Sequence, residues 1–307
     1  MARSLRDLRR KMKAIKSTRQ VTKAMELVAA SKMRRAVLNA QKLRRYAFTA
    51  WTILNHLADV HPNLHPFLED RTPAKILVIL FTTDRGLCGS LNAQMLRAVH
   101  QYLQGAKAME AHEKIDCIAV GRRGQQYLAR TGENVIAAFP ALSNYPTFKD
   151  VLPLSRMATE GFLSGAYDHV VLVYPDFISP LVQEPTVKVL LPFTKSRLHD
   201  MIESILPKHH RREEEHEREV TVREYLFEPS QDEILRTILP QLTETQVYQA
   251  VLETSASEQS ARMVAMRNAS ENASEILDDL TQVYNQTRQA GITAELAELS
   301  AAAAALS

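Results

Sequence analysis

Gly86 and Gly89 flank Cys88 in the stretch Thr83-Asp84-Arg85-Gly86-Leu87-Cys88-Gly89, between an apolar run and an amphipathic one. Glycine turns between a strand and a helix often hold phosphate, because unpaired helix N–H groups point out of the helix start. This turn has neither Gly-x-x-x-x-Gly-Lys-Ser/Thr nor Gly-x-Gly-x-x-Gly spacing, so its glycines are read as serving a tight turn. Cys88 has Arg85 close by in sequence, and a nearby cation favours a thiolate. No His/Asp pairing accompanies it, and buried structural cysteine is the commoner case. His209, His210 and His216 can ligate metals, but they sit in the charged run Lys208 to Glu219, which reads better as a solvated loop or hairpin tip. With no general acid–base constellation, the middle of the chain reads as non-catalytic, and no cofactor or metal is expected.

The elements that hold these residues form a separate domain. All thirteen prolines lie between Pro62 and Pro240, and eight of nine glycines between Gly86 and Gly165. Lys75 to Phe81 is a continuous apolar run of the kind that forms a buried parallel strand. Further strands are expected at Ile115–Val120, Val135–Phe139, His169–Tyr174, Glu184–Phe193 and Val220–Phe227. Helices are expected near Leu91–Leu103, Gln125–Arg130 and Leu154–Leu163. Alternation of this kind gives an α/β, Rossmann-like layer with a mostly parallel sheet. His61 to Pro73 reads as the linker into it, and Ser230 with Glu233 as a capping box leading out.

The two ends are different. From Ala2 to Leu57 there is no proline or glycine. Alternate steps of three and four give Leu5, Leu8, Met12, Ile15, Arg19, Thr22, Glu26, Ala29, Met33, Ala36, Ala40, Leu43, Ala47, Ala50, Leu54 and Leu57, a coiled-coil seam. From Thr243 onward a second seam runs through Leu252, Ala256, Met263, Met266, Ala273, Leu277, Leu280 and Tyr284. Gln259 and Ser270 interrupt it, and apolar residues such as Val247 and Val251 lie off it, so more than one face is a candidate for burial. Residues 1–50 carry fifteen Lys/Arg against Asp7 and Glu26, whereas residues 244–307 carry three arginines against nine Asp/Glu. Opposite charge beside two apolar seams favours pairing. The expected layout is a long antiparallel coiled coil of N- and C-terminal helices with an inserted Rossmann-like α/β domain: residues 1–60, 61–230 and 231–307. No run of eighteen apolar residues suggests a membrane span. Two cysteines, Cys88 and Cys117, without metal-like spacing, point to a reducing, cytosolic compartment.

Local sequence makes this layout specific. Thr18 to Met33 (TRQVTKAMELVAASKM) resembles the N-terminal signature of the gamma subunit of F-type ATP synthase. Asp84 to Gly89 resembles that family's central turn, and Ser257 to Ala269 and Tyr284 to Leu296 resemble its C-terminal motifs. The resemblance implies a rotor shaft that transmits torque between a membrane ring of c subunits and a catalytic ring of alpha and beta subunits. It implies that proton flow is thereby coupled to ATP synthesis, with the chemistry on beta and no catalysis on this chain. It implies epsilon as a further partner, one copy per complex, and a peripheral position on the cytoplasmic face of a bacterial cell membrane. By the same resemblance Met25 faces a beta-subunit lever, and Arg262, Gln289, Thr293 and Glu295 match ring-contact positions. Photosynthetic relatives can carry a regulatory cysteine pair in an inserted segment; Lys208 to Glu219 has no cysteine. Two other readings remain at this point: a nucleic-acid-binding basic helix, and a small α/β enzyme with coiled-coil arms.

Overall fold

The computed structural model describes residues 5–58, 65–69, 71–108, 114–143, 146–193 and 231–306. The expected strand Val220–Phe227, the Ser230 cap, the charged run Lys208 to Glu219 with its histidines, and residues 61–64 and 70 of the linker lie outside the described residues. So do the seam side chains at Ala47, Ala50, Leu54 and Leu57.

The described elements are α1 (Leu5–Ala58), β1 (Lys75–Phe81), α2 (Leu91–Ala108), β2 (Lys114–Val120), α3 (Arg122–Arg130), β3 (Asn134–Phe139), α4 (Phe148–Leu163), β4 (His169–Phe177), β5 (Gln183–Leu191) and α5 (Gln231–Leu306). The sheet order is β3-β2-β1-β4-β5, with β5 antiparallel and the other neighbours parallel. The chain separates into two compact units, residues 1–30 with 262–307 and residues 31–261. That division falls inside both α1 and α5, each of which is one continuous helix.

The sheet is covered on both faces, which is why its central strands are apolar throughout. Side chains alternate with period two. Leu77, Ile79 and Phe81 of β1 join Leu154, Ala158 and Phe162 of α4 and Leu235, Leu239 and Val247 of α5. Ile76, Val78 and Leu80 point the other way, onto Met95, Val99 and Leu103 of α2 and Leu128 of α3.

One helix begins earlier than the sequence suggests. α4 starts at Phe148 rather than Leu154, because Thr147 and Asp150 form a capping box, and it carries Pro153 inside it. α5 starts at Gln231 and carries Pro240 inside it.

The middle of α5 is unusual. From Gln249 to Ser260 every residue is buried, although eight of the twelve are polar. Several of their groups bond in directed fashion. Ser257 donates to the Pro175 carbonyl at 3.2 Å and Ser260 to that of Pro180 at 2.6 Å. Ser143 donates to Glu258 at 3.1 Å. Lys188 of β5 donates to Gln246 Oε1 at 3.1 Å, and Gln249 Nε2 to Glu253 Oε1 at 2.8 Å. Lys188 is half-buried as a residue, but its ammonium end is enclosed. Burial lowers its pKa to about 8, although Glu253 and Asp176 push it back upward.

Two outcomes follow from this packing. Gly121 has φ +89°, and a Cβ there would lie 2.2 Å from the Thr82 carbonyl oxygen, whereas Gly105 within α2 has nothing within 4 Å. Gly121→Ala should cost about 3 kcal/mol or more, as strain and overpacking add. Gly105→Ala should gain about 0.5–1 kcal/mol; urea unfolding of the two variants reads both. For Lys188 the folded pKa is below the unfolded value of 10.5, so the native state binds fewer protons between them and stability rises with pH. That rise, measured as unfolding free energy from pH 8 to pH 10, should flatten in Lys188→Met.

Candidate functional site

The turns that could cradle phosphate are filled from within. Thr82, at the end of β1, accepts the Gly124 N–H on its hydroxyl at 2.7 Å and donates to the Val120 carbonyl at 3.1 Å. Asp84 takes the N–H of Arg122 at 3.1 Å and of Ala141 at 2.8 Å, so it ties the ends of three strands. Asn92 bonds Thr83 at 2.8 Å and Cys88 Sγ at 3.2 Å. The side chains of Thr82, Asp84 and Asn92 thus tie this turn to the segments beside it. Cys88 is buried within that network. Burial, helped by the charges of Glu133 and Asp116, pushes the Cys117 thiol up to about 12, so it stays protonated. Among the described residues no group of His, Cys, Asp and Glu could hold a metal ion. No described helix is long and apolar enough to cross a membrane.

The surfaces left for function lie on the unit made by the ends of α1 and α5. Arg9 donates to the Tyr284 hydroxyl at 2.6 Å, and Arg19 to Ser274 Oγ at 3.2 Å. Ten residues along α1 thus correspond to ten residues back along α5, so the helices are antiparallel in constant register. The N-terminal seam is where the heptads put it. Leu8, Thr22 and Ala29 are buried, and Leu5, Met12, Ile15, Arg19 and Glu26 are half-buried. On α5, Met266 and Ala273 are buried, and Leu277, Leu280 and Tyr284 half-buried. Small residues at this seam let the backbones approach, and Arg19 bonds across it, whereas Thr22 and Glu26 bond within α1.

Register also shows where pairing stops. Leu5 lies four residues before Arg9, so it faces Arg288, four residues after Tyr284. Beyond that point α5 has no counterpart in the described part of α1, and Gln289 to Ala303 are exposed apart from half-buried Gly291. Gln289 and Thr293 share a face one turn apart, with the Thr293 hydroxyl donating to the Gln289 carbonyl at 3.0 Å. Glu295, two residues beyond Thr293, projects from a different side of the helix. Arg262 and Met25 are both half-buried, Met25 beside the seam. The structure therefore brings Gln289 and Thr293 together, turns Glu295 away from them and sets Met25 and Arg262 elsewhere along the rod.

Sequence reasoning missed two apolar features. Ile292, Leu296 and Leu299 form an exposed stripe on the unpaired end of α5. Val21, Leu27 and Val28 are exposed on α1, and Leu27 borders a groove of about 520 Å³ with Gln20, Lys23, Ala24, Ser270 and Glu271. The available signal was their position off both seams, in stretches too regular to be loops.

A family model described as ATP synthase matches residues 4–306. The chain is similar to the ATP synthase gamma chain of Roseiflexus castenholzii, 42% identical over 306 residues covering 99% of this chain and 98% of that one. It is 38% identical to the gamma chain of Cupriavidus necator, covering 98% and 99%. Its fold is shared with a chain in the central stalk and c-ring of Tetrahymena thermophila mitochondrial ATP synthase, with TM-score 0.57, 24% identity, and coverage of 81% and 99%. It is also shared with a chain of the Euglena gracilis mitochondrial enzyme in an OSCP/F1/c-ring structure, with TM-score 0.63, 20% identity, and coverage of 99% and 94%.

The seam gives its own test. Ala29 is 1% exposed, so Ala29→Glu sets an uncompensated carboxylate between the helices and should cost about 3 kcal/mol or more. Ala29→Ser should cost under half of that, as read by thermal loss of helical circular dichroism.

Proposed function

Because the chain belongs to the ATP synthase gamma chain family, we propose that it is the central rotor shaft of a proton-translocating F-type enzyme, transmitting torque between a membrane c-ring and a catalytic ring of alpha and beta subunits. The observation that carries this is the unpaired end of α5. A helix that presents Ile292, Leu296 and Leu299 to solvent, at 50%, 59% and 68% exposure, is suited to cover by another protein. A ring of alternating alpha and beta subunits around the rod supplies that cover. The side chains it would meet are mostly small or apolar, Ala290, Ala294 and Ala301 among them. Such contacts have few directed bonds to break at each step.

Chemistry in this reading belongs to beta. The shaft acts by shape: a two-helix rod cannot match a threefold ring, so each orientation makes different contacts. Catalytic sites then change affinity only by the difference between those contacts. Met25 works beside a beta-subunit lever. Arg262, Gln289, Thr293 and Glu295 form bonds to ring loops, and hydrogen bonds to charged groups contribute about 1.5–3 kcal/mol each. That is enough to hold an orientation and small enough to release under load. The exposed cations of α1, Lys23 and Arg34 among them, suit acidic segments of beta, with attraction that salt weakens. Epsilon and the c-ring are the partners assigned to the α/β domain, by analogy with the assemblies that hold the Tetrahymena and Euglena chains. The curated relatives named above come from bacteria, which supports a peripheral place on the cytoplasmic face of the cell membrane, one copy per complex.

The test is coupling. Met25→Lys adds an ammonium beside the lever and over-strengthens one orientation. In the assembled enzyme in sealed vesicles, protons pumped per ATP hydrolysed should fall severalfold while hydrolysis persists. Unchanged pumping, or purification of the chain without two larger nucleotide-binding subunits in a three-to-three-to-one ratio, would count against the reading.

A further inference from the structure

We propose that one ordered water molecule is bound inside the unit of residues 31–261, bridging Gln246 and Gln249 of α5 where that helix meets β5. Both glutamines are buried, at 3% and 4% exposure. Each is bonded at one atom of its amide and not at the other. Gln246 Oε1 accepts from Lys188 at 3.1 Å, and Gln246 Nε2 has no hydrogen-bond partner. Gln249 Nε2 donates to Glu253 Oε1 at 2.8 Å, and Gln249 Oε1 has no partner. Buried amides are nearly always bonded, and enclosing one of their atoms without a partner is costly.

The bonds already made hold the two remaining atoms in place. Gln246 turned end for end would set its NH2 against the Lys188 ammonium. The same turn of Gln249 would set its oxygen against the Glu253 carboxylate. Charged neighbours therefore fix both amide orientations. The two glutamines lie three residues apart and share a helix face, yet the donor of one and the acceptor of the other do not bond each other. Apolar packing surrounds them. Lys188 pairs with Leu172 of β4, and Leu172 belongs to the core that includes Leu242, Val247, Ala250 and Val251 of α5. Those side chains can neither donate nor accept.

The pair asks for a molecule that accepts one hydrogen bond and donates one. A water does both and keeps a second O–H, which the Glu253 carboxylate can take. Its Oε2 accepts no hydrogen bond, but Glu253 has other interactions, so the two glutamines carry the site. Buried waters are held by two to four such partners. An anion would face Gln249 Oε1 and the Glu253 carboxylate. A cation would face the Gln246 NH2 and the Lys188 ammonium. Charge thus disfavours either ion, and a small neutral molecule remains. With the water in place, hydrogen bonds run unbroken from Lys188 through Gln246, water and Gln249 to Glu253. That chain ties β5 to two successive turns of α5.

Magnetic relaxation dispersion of oxygen-labelled water with the full-length chain counts slowly exchanging internal waters, without any readout of torque. Gln249→Met keeps a similar length but removes both polar atoms, and it should lower the count by one relative to wild type. Gln246→Met should lower it by the same one. Met at both positions should lower it by one in all, because the two residues share a single molecule. Either single variant serves if the other fails to melt cooperatively. Gln126→Met, on the exposed side of α3, should leave the count unchanged. In a density map of the assembled enzyme, a peak should lie about 2.5–3.2 Å from both Gln246 Nε2 and Gln249 Oε1. Unchanged counts in both variants, or a direct bond between the two amides in the map, overturns the proposal. So does a melting temperature that rises when potassium replaces sodium in wild type but not in Gln249→Met, since that would put an ion at the site.

Discussion

The constraint on which the structure depends is that a helix of this length cannot stand alone. α5 has 76 residues, or about 110 Å at 1.5 Å per residue, and isolated helices get most of their stability from packing an apolar face. α5 meets that demand in two ways along one continuous backbone. Its first half is built into the α/β domain, where Leu235, Leu239 and Val247 complete the core on one face of the sheet. From about Arg262 it pairs instead with the start of α1, in the antiparallel register fixed by Arg9 with Tyr284 and Arg19 with Ser274. Only the residues after Arg288 lack a counterpart in the described part of α1.

How much of this could be read beforehand depended on which physical signal each segment carries. The α1 seam was legible because a single stripe is buried there: every heptad position from Leu5 to Leu43 is at least half-buried. The central strands were legible because cover on both faces leaves an uninterrupted apolar run. The start of α4 was not, because Pro153 looks like a helix breaker and the Thr147–Asp150 box that starts the helix lies upstream of the apolar pattern. The buried middle of α5 was also hidden. Thr254, Ser255, Ser257, Glu258, Gln259 and Ser260 carry no apolar signal, yet all are at most 6% exposed. Sequence periodicity reports hydrophobicity, and this segment is enclosed by hydrogen bonding to carbonyls that are distant in sequence.

The candidate site divides the same way. Gln289 and Thr293 come together because helical spacing alone decides it, and the same spacing turns Glu295 away from them. Exposure of Ile292, Leu296 and Leu299 does not follow from spacing, since it rests on where α1 begins and on the register between two distant segments. The turn Asp84 to Gly89 shows the converse. Its glycines fit a phosphate cradle as a pattern, and only the structure shows that Thr82, Asp84 and Asn92 bond to the segments around it.

A shaft must also resist turning in its own seat, and apolar packing alone does this poorly, because burial is non-directional whereas hydrogen bonds weaken steeply with angle. The two stretches of α5 differ in that respect. Ser257 and Ser260 are bonded to the carbonyls of Pro175 and Pro180, Glu258 accepts from Ser143, and Gln246 accepts from Lys188. Each bond is to a strand or to a loop beside one, and each would break if α5 rotated about its axis or slid by a residue. The exposed end mixes small and apolar side chains with Gln289, Thr293 and Glu295. Directional contacts within the chain are therefore concentrated where the helix must stay fixed to its own domain. Burial of so many polar groups in the middle of α5 is costly if they are left unpaired. It is understandable as the means by which rotation of the domain becomes rotation of the rod.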